Sequence, residues 1–321
     1  MLHRVQTSEF ADINLAYNRV FRPGRLSIGL VLPLEAYPVG AEPTLREHLK
    51  AAQRAEHLGY AALWLRDVPF NVPSFGDVGQ VFDPFVYLGA LATATDQIAL
   101  GTSSVILPLR HPAHVAKAAA TADVLSGGRL LLGVASGDRP EEYPAMNQSF
   151  DDRGARFRDS VEYIRAVGSA YPKHESARGK LSGEIDLLPK PNGARLPILI
   201  TGGSRQTPDW VAQNGDGWMT YPRNTAAQEQ VISDYKSRVK AAGQQDKPVM
   251  QSLYVDVVAD PAASPRPIHL GFQSGTDFLR SYLREIETLG VNHVALNLRF
   301  NQAPIVATLE HLADTVLPDF S

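Results

Sequence analysis

Eight short apolar runs, each followed by a longer amphipathic stretch, recur along the chain, and this alternation restricts its fold more than any other feature. The runs fall at residues 26–32, 61–65, 98–102, 130–134, 198–201, 217–220, 250–258 and 293–297. Helical periodicity follows them at about 44–58, 84–94, 114–125, 157–170, 208–214, 226–241, 277–289 and 305–316. Gly59, Gly243 and Gly290 stand just past three of these helices, where a left-handed C-terminal cap favours glycine. Runs that are apolar at every position suit a parallel sheet covered on both faces, with helices as crossovers. Eight such units in 321 residues predict an α/β protein of the (β/α)8 TIM barrel class, with a doubly wound open sheet as the second reading.

Several stretches exceed a minimal barrel. Residues 1–24 read as an N-terminal arm that packs across the barrel or a neighbouring subunit, and 25–321 as a single barrel domain. Insertions follow strand 4 (135–156) and strand 7 (259–275), on the face where barrel enzymes build pockets; plain surface excursions are the alternative. Residues 171–197 read as a small hairpin with a Pro/Gly-rich link.

Composition removes several function classes. With 31 basic and 34 acidic residues the formal charge is -3, which argues against nucleic acid or an anionic membrane as the main partner. The chain has no cysteine, which removes disulfides, thiolate nucleophiles and Cys-ligated metals. Arg4, Glu9 and Asp12 interrupt the first apolar residues too often for a secretory segment, and no run approaches a membrane span, so the expected location is cytoplasmic. Glu141 and Glu142 lack a His-rich partner set, so no metal is assigned.

Two loops point to a ligand. Gly101, Thr102, Ser103 and Ser104 set small, hydroxyl-bearing residues where the third strand ends, and small residues there let a flat ligand approach the backbone. An ordinary βαβ turn reads equally well. After the fifth strand, Gly202, Gly203, Ser204 and Thr207, with Arg205 as a charged contact, compose an anion site suited to a phosphate. Thr207 as a helix N-cap, with Pro208 at the first helical position, satisfies the same residues without a ligand. This turn is neither a P-loop nor a GxGxxG fingerprint.

The segments LSIGLVLP, AAQRAEHLGYAALWLRD, LGTSSVILPLRHP, LSGGRLLLGVASG and ITGGSRQTPDWVAQNGDGW occur in that order between residues 26 and 218. Through them the chain resembles the bacterial luciferase-like monooxygenases, flavin-dependent oxidoreductases built on a (β/α)8 barrel, over about residues 26–316. The resemblance implies a flavin ring against the end of strand 3, with a non-prolyl cis peptide at Ser103-Ser104. It implies a phosphate held by Gly203, Ser204 and Thr207, and a pocket lined by Ser136 and Gly137. The chain departs from luciferases at three positions. Val68 stands in place of a catalytic histidine, Ala135 in place of a reactive cysteine, and Ser136 in place of a phosphate-gripping arginine. Light-emitting aldehyde oxidation is therefore not expected.

Barrel geometry aims residues just past the strand ends into the mouth, which selects Asp67, Ser136, Asp138, Tyr221, Arg223, Asn297 and Arg299. Asp67 is the first choice beside a substrate, against a salt bridge with Arg66 or a nearby loop. His111 suits flavin contact or proton transfer, or a loop position bonded to backbone. Tyr221 suits closure of the ring pocket, or an aromatic core position. Asp151, Asp152, Arg153 and Arg156 read as a solvated capping network at the start of the fourth helix. The expected function is a flavin-dependent monooxygenase that uses reduced FMN, from a separate reductase, and O2 on a small organic substrate. Alternatives are F420-dependent hydride transfer and a non-catalytic flavin-binding protein, the latter consistent with Val68 and Ala135. An unrelated barrel hydrolase lacks a nucleophile set. The resemblance also implies a homodimer or larger homo-oligomer.

Overall fold

The computed structural model describes residues 9–320. Eight parallel strands surround a closed barrel: β1 (Ser27–Val31), β2 (Ala62–Leu65), β3 (Ala99–Thr102), β4 (Leu130–Ala135), β5 (Ile198–Thr201), β6 (Gly217–Thr220), β7 (Val249–Val257) and β8 (His293–Asn297). β8 returns to β1 with Ser27 opposite His293 and Leu30 opposite Leu296, a pairing that rules out the open sheet. Helices α1 (His48–His57), α2 (Pro84–Ala94), α3 (Pro112–Leu125), α4 (Arg153–Ala166), α5 (Pro208–Asn214), α6 (Thr225–Ala241), α7 (Thr276–Thr288) and α8 (Ile305–Thr315) each follow the strand of the same number.

Period-two alternation divides every strand between two cores. On β2, Ala62 and Trp64 belong to the barrel interior while Leu63 and Leu65 pack under the helices, which is why the run reads as apolar throughout. Trp64 is the largest interior side chain, and β3 gives up a side chain to admit it: a Cβ on Gly101 would lie 2.3 Å from the indole. The indole N–H donates to His293 Nε2 at 2.8 Å, and His293 Nδ1 lies 2.7 Å from Ser27 Oγ. An indole can only donate, so Nε2 accepts and the ring proton sits on Nδ1. Burial drives this imidazole down to about 3, so the ring is neutral.

The arm stoppers the opposite mouth. Ile13, Ala16, Tyr17, Val20 and Phe21, on and beside the helix Leu15–Val20, join the interior cluster at the N-terminal ends of the strands. Asn14 Nδ2 donates to Leu130 O at 2.8 Å and to Asp123 Oδ1 at 3.1 Å, and the Tyr17 hydroxyl donates to Asp216 O at 2.7 Å. Of the arm expected over 1–24, residues 1–8 lie outside the described residues, as does Ser321.

Some elements differ from the periodicity. α4 begins at Arg153 rather than at 157; of the charge run read as a solvated capping network, Asp151 and Asp152 are exposed, with Asp152 at the N-cap, while Arg153 and Arg156 are half-buried. The Arg153 guanidinium lies 3.5 Å from the Phe150 ring centroid, and Arg156 lies 5.9 Å from that of Tyr143 while bonding Asp152 at 3.2 Å. The insertion after β7 is a hairpin, Arg266–Ile268 with Gly271–Ser274, whose second strand runs parallel to the overhanging end of β7 from Tyr254 to Val257. Residues 171–197 contain the hairpin Lys173–Ser176 with Gly179–Ser182. No helix among the described residues is long and apolar enough to cross a membrane.

Candidate active site

A cavity of about 390 Å³ opens at the C-terminal ends of the strands, a volume within the range of small-ligand sites. Its walls are strand tips: Ser103 and Ser104 after β3, Ser136 and Gly137 after β4, Gly202, Gly203 and Ser204 after β5, and Tyr221 after β6. Val31, Met219 and Met250, shared with the barrel interior, make an apolar floor. The Ser103-Ser104 peptide is cis. Ser104 Oγ is hydrogen-bonded to Thr201 Oγ1, which in turn lies 3.3 Å from Met219 Sδ.

Asp67 lines the cavity with both oxygens engaged. Arg110 donates from Nε to Oδ2 at 2.9 Å and from Nη2 to Oδ1 at 2.8 Å, and the Ile106 amide donates to Oδ2 at 3.0 Å. Of the two salt bridges foreseen, with Arg66 or with a nearby loop, the structure makes the second, with Arg110. Arg66 instead holds Asp77, at 2.6 and 2.9 Å, together with Arg299 at 2.9 Å. Burial opposes the Asp77 charge, yet these guanidinium groups hold its carboxyl far below the usual range.

The turn after β5 presents backbone donors. Gly202, Ser204 and Arg205 have φ of 54°, 44° and 62°, and the N–H groups of Gly203, Ser204 and Arg205 meet no backbone acceptor among the described residues. Amides freed in this way form an anion-binding concavity. The hydroxyls are committed elsewhere: Ser204 Oγ donates to Thr201 O at 2.8 Å, and Thr207 Oγ1 accepts the Trp210 amide at 3.2 Å as the cap of α5. Thr207 thus takes the capping role that needs no ligand.

Nine of the expected site residues share the cavity: Asp67, Ser103, Ser104, Ser136, Gly137, Gly202, Gly203, Ser204 and Tyr221. Four do not line it. Thr102 is buried and ties β3 to β4 through Gly133 O at 2.7 Å. His111 caps α3, its Nδ1 accepting the Ala113 amide at 3.2 Å and its Nε2 lying 3.1 Å from Arg178 O. Arg205 is exposed, and Thr207 is occupied as described. Of the further strand-end residues, Asp138 and Asn297 line the cavity; Arg223 and Arg299 do not.

Glu142 and Arg139 are lining residues that sequence reasoning passed over, having weighed Glu142 only as a metal ligand. Glu142 opens the short helix Glu142–Ala145 in the insertion after β4, and its side chain is 2% exposed. Burial, opposed by the nearby Arg139 charge, lifts its carboxyl to about 7. The available signal was its place in that insertion; its burial was not visible. Among the described residues no cluster of His, Cys, Asp and Glu is arranged to hold a metal ion.

Fold and site together define a TIM-barrel protein with a ligand cavity at the C-terminal mouth of its strands. The family model of the luciferase-like monooxygenases matches residues 26–295, and the chain belongs to that family. An uncharacterised protein of Mycobacterium tuberculosis is 32% identical over 231 residues, 66% of this chain and 80% of that protein. The oxygenase component of the flavin-dependent trigonelline monooxygenase of Acinetobacter baylyi is 25% identical over 228 residues, 67% of this chain and 59% of that protein. The solved structure of an F420-dependent secondary alcohol dehydrogenase matches with a TM-score of 0.75 at 19% identity, over 92% of this chain and 99% of that one, a likeness of fold. An F420-dependent glucose-6-phosphate dehydrogenase of Amycolatopsis mediterranei is 28% identical over 180 residues, 54% of this chain and 53% of that protein, so flavin-dependent and F420-dependent oxidoreductases both stand among this chain's relatives.

Proposed function

We propose that the protein is a flavin-dependent monooxygenase that holds reduced FMN in this cavity and oxygenates a small organic substrate with O2. The observation that carries this reading is the two-ended cavity, with free amides on the β5 turn, a small-residue tip on β3, and the Ser104–Thr201 bond joining the two. The residues present fit the cofactor. The amides of Gly203, Ser204 and Arg205 suit its phosphate, and the β3 tip with the floor of Val31, Met219 and Met250 suits a flat ring. Bound and reduced, the flavin supplies the electrons and the oxygen chemistry.

The chain's own residues bind, orient and shield. The Asp67–Arg110 pair holds the Ile106 amide and with it the segment that follows the β3 tip. Tyr221 and Leu270, from the end of β6 and the hairpin after β7, flank the opening and restrict water. Val68 and Ala135 line the cavity without a titratable group, which removes the chemistry luciferases place there. A separate flavin reductase and a homodimer belong to the same proposal.

F420 is the second reading, favoured by the sequence similarity to the F420-dependent glucose-6-phosphate dehydrogenase; its phosphate suits the same amides, and hydride transfer then replaces oxygen chemistry. The absorbance spectrum of the purified protein, with mass spectrometry of released ligand and O2 uptake after reduction, tests the choice. FMN with O2 consumption supports the first reading and F420 the second. FMN held without O2 consumption points to a binding protein, and affinity for neither cofactor ends both enzymatic readings.

A further inference from the structure

Among the described carboxyl groups that line the cavity, Asp67, Asp138 and Glu142, Glu142 is the one with a buried oxygen that has no hydrogen-bond partner. No histidine among the described residues lines the cavity: His111 caps α3 and His293 is sealed in the barrel. Asp67 is engaged by Arg110 through both oxygens. Glu142 Oε1 has no hydrogen-bond partner. The facing Arg139 Nη1 is 3.9 Å away and equally unpartnered. Arg139 is held back by Nη2, bonded to Asp77 O at 3.2 Å, and by its guanidinium lying 4.7 Å from the Phe75 ring centroid. A close ion pair would satisfy both orphaned atoms, and at 3.9 Å the two groups face each other without a hydrogen bond.

We propose that Glu142 is the proton donor and acceptor of this cavity, and that its carboxylate pairs with Arg139 once its proton has left. The inference rests on reading the cavity as an oxidoreductase site. In the transfer the Glu142 O–H bond breaks, the proton bonds to an oxyanion formed in the cavity, and that oxyanion becomes a hydroxyl. The carboxylate left behind gains the Arg139 guanidinium as its counter-charge. The charged groups facing Glu142 act in opposite directions: Arg139 favours ionisation, while Asp67 and Asp138 oppose it. Tyr143, next in the chain, keeps its own proton, its phenol pushed up to about 12 by burial. Burial of Glu142 outweighs Arg139 and sets the balance near neutrality.

Infrared titration of the purified protein from about pH 5 to about pH 9 reads the proton directly, through the band of a protonated carboxyl. The wild type is expected to lose one such band with a midpoint near 7, and Glu142→Gln to lack it. Arg139→Gln is expected to move the midpoint to higher pH, and this variant with the wild-type titration decides the matter even if Glu142→Gln fails to fold. Saturation with reduced FMN is expected to change the proton affinity of the band about tenfold or more, since the negative flavin joins the same cavity. Absence of the band, a midpoint in the ordinary glutamate range, or a midpoint indifferent to bound FMN overturns the proposal. FMN binding, followed separately by fluorescence, tells the two failures apart. If FMN does not bind but the titration and the Arg139 shift hold, the cofactor reading falls and Glu142 stands as the cavity's titrating acid.

Discussion

Ser104, at the tip of β3, and Thr201, at the end of β5, are joined by a hydrogen bond between their hydroxyls although β4 lies between the two strands in the sheet. The bond braces the two ends of the cavity against each other. Thr201→Val keeps the volume and removes the bond. The expected result is a loss of about 1 kcal/mol of stability in urea unfolding, with FMN affinity lowered roughly tenfold in a fluorescence titration.

The turn after β5 predicts different outcomes for its backbone and its hydroxyls. Gly202 has a φ of 54°, a region that a β-branched residue resists, so Gly202→Val disturbs the amides that follow. Its FMN affinity is expected to fall more than about tenfold. Thr207→Ala removes only the α5 cap, costing about 1 kcal/mol of stability and leaving FMN affinity unchanged. Equal losses of affinity in the two variants would move the phosphate off the backbone amides.

His293 makes the fold acid-sensitive. Its folded pKa of about 3 lies below the ordinary 6.5, so the native state binds fewer protons than the unfolded chain. The stability it contributes is full above pH 6.5 and is lost as the pH falls toward 3, a change on the order of 4 kcal/mol. His293→Gln is expected to flatten this acid limb in denaturant unfolding measured across the same range.

Glu142 acts with the opposite sign. Its folded pKa of about 7 stands above the ordinary 4.5, so its contribution is full below pH 4.5 and is lost as the pH rises through 7. Relative to wild type, Glu142→Gln is expected to gain on the order of 2 kcal/mol between those two limits. Unfolding free energies of the two proteins at both ends of the window check this.

Removing Arg110 leaves the buried Asp67 carboxylate without its counter-charge. Arg110→Ala is expected to cost about 3 kcal/mol and Asp67→Asn less, because the amide leaves no buried charge behind. Urea unfolding of the two variants gives the order; the reverse order would mean that Asp67 is hydrated through the cavity.

The barrel is legible in the chain because its strands are buried on both faces, so that their apolar runs are continuous and bounded. Gly59, Gly243 and Gly290 take φ of 88°, 67° and 96°, as a left-handed cap requires. The hairpin after β7 is not legible, because its second strand pairs with an overhang of β7 that no local pattern announces. The start of α4 is misjudged for a similar reason: Arg153 and Arg156 look solvated until Phe150 and Tyr143 are placed beneath them.

The sequence by itself determines the barrel class, the order of its strands and which strand tips carry small hydroxyl residues, since all three follow from periodicity and from neighbours in the chain. Only the tertiary structure decides which polar groups at those tips remain free. Ser204 is spent on its own turn, Thr207 on a helix cap, and Asp67 on Arg110, which lies 43 residues further along. Glu142 is left buried with an unpartnered oxygen. Hydrogen-bond satisfaction and desolvation are set by groups distant in the chain, and the fold alone brings them together.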